Sequence, residues 1–155
     1  MLLETKTGQI NNAGTDEPVF FALHYMGTKE IPNRDPKRPP RSLPDQKRIE
    51  VNLDNEGNDR KTGALETYKL KFDCPIDKIC GVEIGLKSGD DAWFLDGFRY
   101  MVETDTQNSD PTTIPFSGWL SAAANDGTKT APSRQFYYFK VKPPKLRDKS
   151  SNLDK

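Results

Sequence analysis

Histidine and cysteine are almost missing from this chain, with one His and two Cys in 155 residues. That scarcity removes the His/Cys cluster of a zinc centre and the dense cross-linking of a disulfide scaffold. The lone His24 sits in the apolar run Phe20-Phe21-Ala22-Leu23-His24-Tyr25. No serine or cysteine motif offers it a nucleophile, so it reads as structural. Cys74 and Cys80 flank Pro75-Ile76-Asp77-Lys78 and read as free structural thiols, Cys80 sharing strand parity with Val82, Ile84 and Leu86. A glycine loop that would cradle phosphate is absent too. Asp90 and Asp91 are adjacent, and neighbouring strand residues point to opposite faces, which is wrong for an acid and base acting on one substrate. No catalytic activity is expected.

Net charge is also lacking, since 23 Lys and Arg balance 23 Asp and Glu. Whole-chain charge therefore gives no argument for nucleic acid or for a strongly acidic partner. No run approaches the ~20 apolar residues of a membrane span. The start, Met1-Leu2-Leu3-Glu4-Thr5-Lys6, has no long apolar region or small-residue cleavage site. The expectation is a protein made without a standard secretion signal, hence cytoplasmic or exported by a non-classical route and peripheral at membranes; a piece cut from a larger secreted protein has the same start.

Sustained helical periodicity is the last absence, and what replaces it is alternation. Apolar and polar residues alternate over short runs at 2–7, 19–26, 47–53, 65–72, 79–87, 93–103, 113–116 and 136–141, separated by turn residues. Eight strands without intervening helices predict an all-β, eight-stranded antiparallel sandwich over residues 1–142. Residues 27–46 hold Pro32, Pro36, Pro39, Pro40 and Pro44 among Lys29, Arg34, Lys37, Arg38 and Arg41. They read as a long basic loop. Residues 104–112 and 122–132 read as surface loops, and 143–155 as a disordered basic tail.

Acidic residues gather elsewhere, in Asn12-Ala13-Gly14-Thr15-Asp16, Asp54-Asn55-Glu56-Gly57-Asn58-Asp59 and Gly89-Asp90-Asp91-Ala92-Trp93. A hard cation such as Ca²⁺ takes six to eight oxygens from carboxylates and backbone carbonyls, and glycine or alanine lets the backbone approach. Taken singly, each segment also reads as an ordinary Asp/Asn/Gly turn.

In order along the chain, Lys6-Thr7-Gly8, Ala13-Gly14-Thr15-Asp16, Asp91-Ala92-Trp93-Phe94-Leu95-Asp96 and Phe116-Ser117-Gly118-Trp119-Leu120 resemble the PLAT, or lipoxygenase-homology, domain. The stretch from Asp54 to Gly63, followed by Glu66-Thr67-Tyr68, is most similar to the carboxy-terminal membrane-binding domain of the clostridial alpha-toxin phospholipases C. The resemblance covers about residues 2–141 and implies a β-sandwich whose loops at one end bind Ca²⁺ and help dock it on phospholipid. It implies one metal site at Asn12, Gly14, Asp91 and Ala92, with Asp90 adjacent, and a second at Asp54, Asn55, Gly57 and Asp59. Thr15 and Asp16 complete a third position. Asn12 stands where the toxin domains have aspartate, one formal charge fewer. No aromatic precedes Asp91, where the toxin domains expose one. Lys37, Arg38, Arg41 and Trp93 are the candidate contacts to membrane or partner. PLAT sandwiches also dock proteins, so a protein-interaction or adaptor domain with calcium structural or absent is the competing expectation, and a detached targeting domain of a lipase or toxin a third. Trp119 reads as a core plug.

Overall fold

A computed structural model describes residues 1–9, 14, 19–53, 61, 63–87, 92–121 and 135–149. Among these residues the regular structure is β, with a short 3₁₀ turn at Ile76–Lys78. One sheet pairs β4 (Leu65–Lys69), β1 (Leu2–Thr7), β6 (Ala92–Met101) and β8 (Thr112–Ser121), in that order. The second pairs β3 (Arg41–Leu53), β2 (Val19–Ile31), β5 (Ile79–Leu86) and β9 (Phe136–Lys140). Every pairing is antiparallel. A short ribbon joins β7 (Gln107–Ser109) to β10 (Leu146–Asp148).

Alternation puts Leu3, Thr5 and Thr7 of β1, Val19, Phe21 and Leu23 of β2, and Val82, Ile84 and Leu86 of β5 into the buried layer between the two four-stranded sheets. Aromatic rings join the layers. Phe21 of β2 meets Phe98 of β6 edge-on at 6.3 Å between centroids, and Phe116 of β8 meets Tyr137 of β9 at 4.5 Å. Such contacts make a sandwich core. In β6 the parity changes midway, because Trp93 and Leu95 are buried and so are Phe98 and Tyr100. Gly97, at φ 96°, supplies the bulge that resets it, where the pairing with β8 shifts between Asp96 and Phe98.

Several expectations need correction. Residues 27–46 are largely strand, with β2 and β3 paired without a break from Val19↔Leu53 to Ile31↔Arg41. Four of the five prolines fall in or beside the turn at 32–40, and Pro44 sits on β3, an edge strand, where a missing N–H is tolerated. The tail is ordered as far as β10, and residues 107–109, expected in a loop, pair with it. Cys80 lies at the irregularity between the His24 and Tyr25 pairings; Ile79 takes the buried place, and both free cysteines are half-buried. Trp119 lies on the outer face of its sheet, ring to ring with Phe94 at 5.1 Å, while Leu120 fills the core.

Candidate functional site

The strand ends that border the three acidic segments come together through Gly8. Its N–H donates to the Phe94 carbonyl at 2.9 Å, and its own carbonyl accepts the Gly63 N–H at 3.0 Å. Gly8 leads into the first segment, Gly63 follows the second, and Phe94 is two residues past Ala92, the first residue of β6. A Cβ at Gly8 would collide with the Phe94 ring, so any larger residue must displace that ring for the junction to close. In the facing sheet, Val19 pairs both with Leu53, the last residue before the second segment, and with Leu86, three residues ahead of the third. Five residues join Leu86 to Ala92, which holds the two sheets' ends within about 20 Å of each other.

Of the expected metal ligands, Gly14 and Ala92 lie within the described residues, Gly14 half-buried outside any strand and Ala92 buried at the start of β6. Asn12, Thr15, Asp16, Asp54, Asn55, Gly57, Asp59, Asp90 and Asp91 lie outside them. Among the described residues no three His, Cys, Asp or Glu side chains stand close enough to hold a metal ion. The sequence's donor set is oxygen throughout: carboxylates of Asp16, Asp54, Asp59, Asp90 and Asp91, amides of Asn12 and Asn55, the Thr15 hydroxyl, and carbonyls of Gly14, Gly57 and Ala92. That chemistry fits a hard cation.

The expected contact residues divide. Trp93 is corrected to a core residue: it is fully buried, and its indole N–H donates to Thr7 Oγ1 at 2.8 Å. Inward strand parity and that bond leave no ring surface for lipid. Lys37, Arg38 and Arg41 are exposed at the far end of the β2–β3 hairpin. Twelve steps of strand separate Val19 from Ile31, about 40 Å. The basic residues therefore lie at the end of the molecule opposite Gly8.

A further constellation escaped the sequence reading. On the outer face of the β3-β2-β5-β9 sheet, the nearly buried Glu83 accepts from Arg48 Nη2 at 2.9 Å and Arg48 Nε at 3.2 Å. His24 Nε2 stands 2.9 Å from the same carboxylate, and His24 Nδ1 stands 3.0 Å from the Gln46 amide nitrogen. Nε2–H donating to Glu83 while Nδ1 accepts from Gln46 satisfies all three groups. Arg48 also reaches Glu50 at 2.7 Å, Glu50 reaches Lys87 at 2.8 Å, and the Arg48 guanidinium lies 5.4 Å from the Phe20 ring centre. Burial pushes the Glu83 carboxyl up, but hydrogen bonds and charge from Arg48 and His24 outweigh it and hold it below its ordinary value. Lys87, aided by Arg48, lowers Glu50 against the opposing effect of burial. Beside this network, Phe20, Lys87, Gln135 and Phe136 border an open groove of about 600 Å³. No Ser, Thr or Cys is among its lining residues, and both His24 nitrogens have partners within the sheet. The visible signal in sequence is one charge, Glu83, inside the apolar run Ile79-Cys80-Gly81-Val82-Glu83-Ile84.

No protein-family model matches this chain, and no curated protein matches it in sequence. None of the helices among the described residues is long and apolar enough to cross a membrane.

Proposed function

We propose that this chain is a non-catalytic Ca²⁺-binding module of the PLAT type that docks on phospholipid surfaces or brings a partner to them. The carrying observation is the Gly8 junction, whose backbone bonds draw together the borders of all three oxygen-rich segments. Two four-stranded antiparallel sheets also suit the eight-stranded sandwich that the ordered motifs imply. Asn12, Gly14, Asp91 and Ala92, with Asp90 beside them, would hold one ion. Asp54, Asn55, Gly57 and Asp59 would hold a second, and Thr15 and Asp16 would contribute to a third. Bound Ca²⁺ would offset the mutual repulsion of these carboxylates and present positive charge to a lipid phosphate.

Co-sedimentation with phospholipid vesicles in Ca²⁺ and in chelator tests the docking. The reading expects a Ca²⁺-dependent pellet that Asp59→Ala and Asp91→Ala both diminish. Equal sedimentation under the two conditions would remove calcium from the mechanism. An adaptor domain with calcium structural or absent would then be the better account.

A further inference from the structure

We propose that the β2–β3 hairpin is a second, calcium-independent contact with anionic phospholipid, at the opposite end of the molecule from the Gly8 junction. β5 accompanies β2 only as far as the Tyr25↔Ile79 pair. Beyond it, β2 and β3 continue as a two-stranded ribbon to Ile31↔Arg41. A ribbon of this kind has little stability by itself, so what fixes its end matters. The tip is closed by a turn in which the Arg38 N–H donates to the Asp35 carbonyl at 3.0 Å. Two side chains reinforce it: Asp35 Oδ1 accepts the Lys37 N–H at 3.0 Å, and Asn33 Oδ1 accepts the Asp35 N–H at 3.3 Å. Pro36 occupies the turn position whose φ it presets. The arm is thus a shaped projection whose basic side chains stand in fixed order.

Its charges are mostly uncompensated. Arg38 has Asp35 at 3.9 Å and Lys47 has Asp45 at 3.8 Å, whereas Lys29, Arg34, Lys37 and Arg41 make no ion pair among the described residues and are exposed. Apolar side chains stand between them. The cross-strand pairs Ile31↔Arg41 and Lys29↔Leu43 set a block of two cations and two aliphatic chains on one face. That face has the parity of Phe21, Leu23, Val51 and Leu53, so it continues the core-facing side of the sheet past the point where the opposite sheet covers it. Ile31 is 36% and Leu43 38% exposed.

The mixture selects the partner. A nucleic-acid backbone would match the cations but offer the two aliphatic chains no apolar phase. An extended acidic peptide adding to the β3 edge would meet Pro44, which has no N–H to give. Anionic lipid supplies phosphates for the cations and an interfacial apolar layer for Ile31 and Leu43. The contact needs no metal and does not depend on the acidic end.

The test is vesicle co-sedimentation of the full chain in chelator, using phosphatidylcholine alone and phosphatidylcholine mixed with phosphatidylglycerol. The intact protein should pellet with the anionic vesicles only and be released by salt. Lys37→Glu with Arg41→Glu should weaken binding by at least about 25-fold, taking about fivefold per basic residue. Ile31→Ser with Leu43→Ser should also weaken it several-fold, which a purely ionic contact would not show. Both double variants alter exposed side chains, so their melting temperatures and calcium response should match the parent. Absence of binding in chelator would overturn the proposal. So would indifference to both variants, or stronger capture by polyglutamate or a DNA duplex at the same salt.

Discussion

Replacing Arg48 by methionine tests whether the outer-face network stabilises the sandwich. Methionine keeps an apolar stem over Phe20 but removes the fork that grips Glu83 at 2.9 and 3.2 Å. The Glu83 side chain is 8% exposed, so an ionised carboxylate would be left largely out of water with His24 beside it. Removing one member of a fully buried pair costs about 3–5 kcal/mol. Here Arg48 is itself 39% exposed and the adjoining groove is open, so screening reduces the expected loss to about 2 kcal/mol. For a chain of this size that is about 4–8 °C in melting temperature.

The pH dependence supplies a sign. In the parent, Glu83 is held below its ordinary value of 4.5, so its contribution is present above that pH and is lost as pH falls through the lower folded value. In Arg48→Met, burial is opposed only by His24, so the carboxyl should shift upward from its value in the parent. The variant's deficit should therefore shrink as pH falls from neutral, because protonation removes the uncompensated charge. Adding Glu83→Gln should recover much of the loss at neutral pH. Urea titrations across pH provide the measurement. A single variant within about 0.5 kcal/mol of the parent at neutral pH, the range of ordinary surface changes, would refute the reasoning.

Four other outcomes follow from the packing and the two ends. Gly81→Ala should destabilise by about 1–3 kcal/mol, since the new Cβ meets the Tyr138 ring that stands edge-on to His24, and the penalty should largely vanish in a Tyr138→Ala background. Trp93→Phe should cost about 2 kcal/mol in urea unfolding by removing the bond to the buried Thr7 hydroxyl, while leaving vesicle binding unchanged. Gly8→Ala should displace Phe94 and weaken calcium stabilisation as well as the fold; an unaltered calcium response would separate the junction from the metal sites. With both ends engaged, the protein should clump anionic vesicles in Ca²⁺, and turbidity that persists in chelator would contradict that division of labour.

Much of the fold is legible in the sequence because alternation over five or more residues marks a strand with one buried face. β1 has the expected bounds, and β2, β5, β6 and β9 begin within a residue of where alternation starts. Proline was the misleading signal at 27–46: its density says loop, but its cost depends on whether the lost N–H faces a neighbouring strand, which composition does not encode. The three-residue partners β7 and β10 are too short to carry a period. Trp93 and Phe94 show the same limit at finer scale. Alternation requires the two rings to face opposite ways, but only the pairing with β8 reveals that Trp93 enters the core and Phe94 the outer face. The convergence at Gly8 was legible only through the resemblance, since long-range backbone bonds leave no local pattern. Glu83 was readable as an oddity within an apolar run, yet its partners come from two other strands.

The central claim is that the oxygen-rich segments bordered by the Gly8 junction bind Ca²⁺. A thermal melt with and without Ca²⁺, repeated for Asp59→Ala and Asp91→Ala, tests it most directly. At a tenfold excess over Kd, one site should add about 1.4 kcal/mol, or about 3–6 °C, and each variant should lose part of that gain. A melting temperature indifferent to Ca²⁺, or a gain that both variants retain in full, would contradict the account.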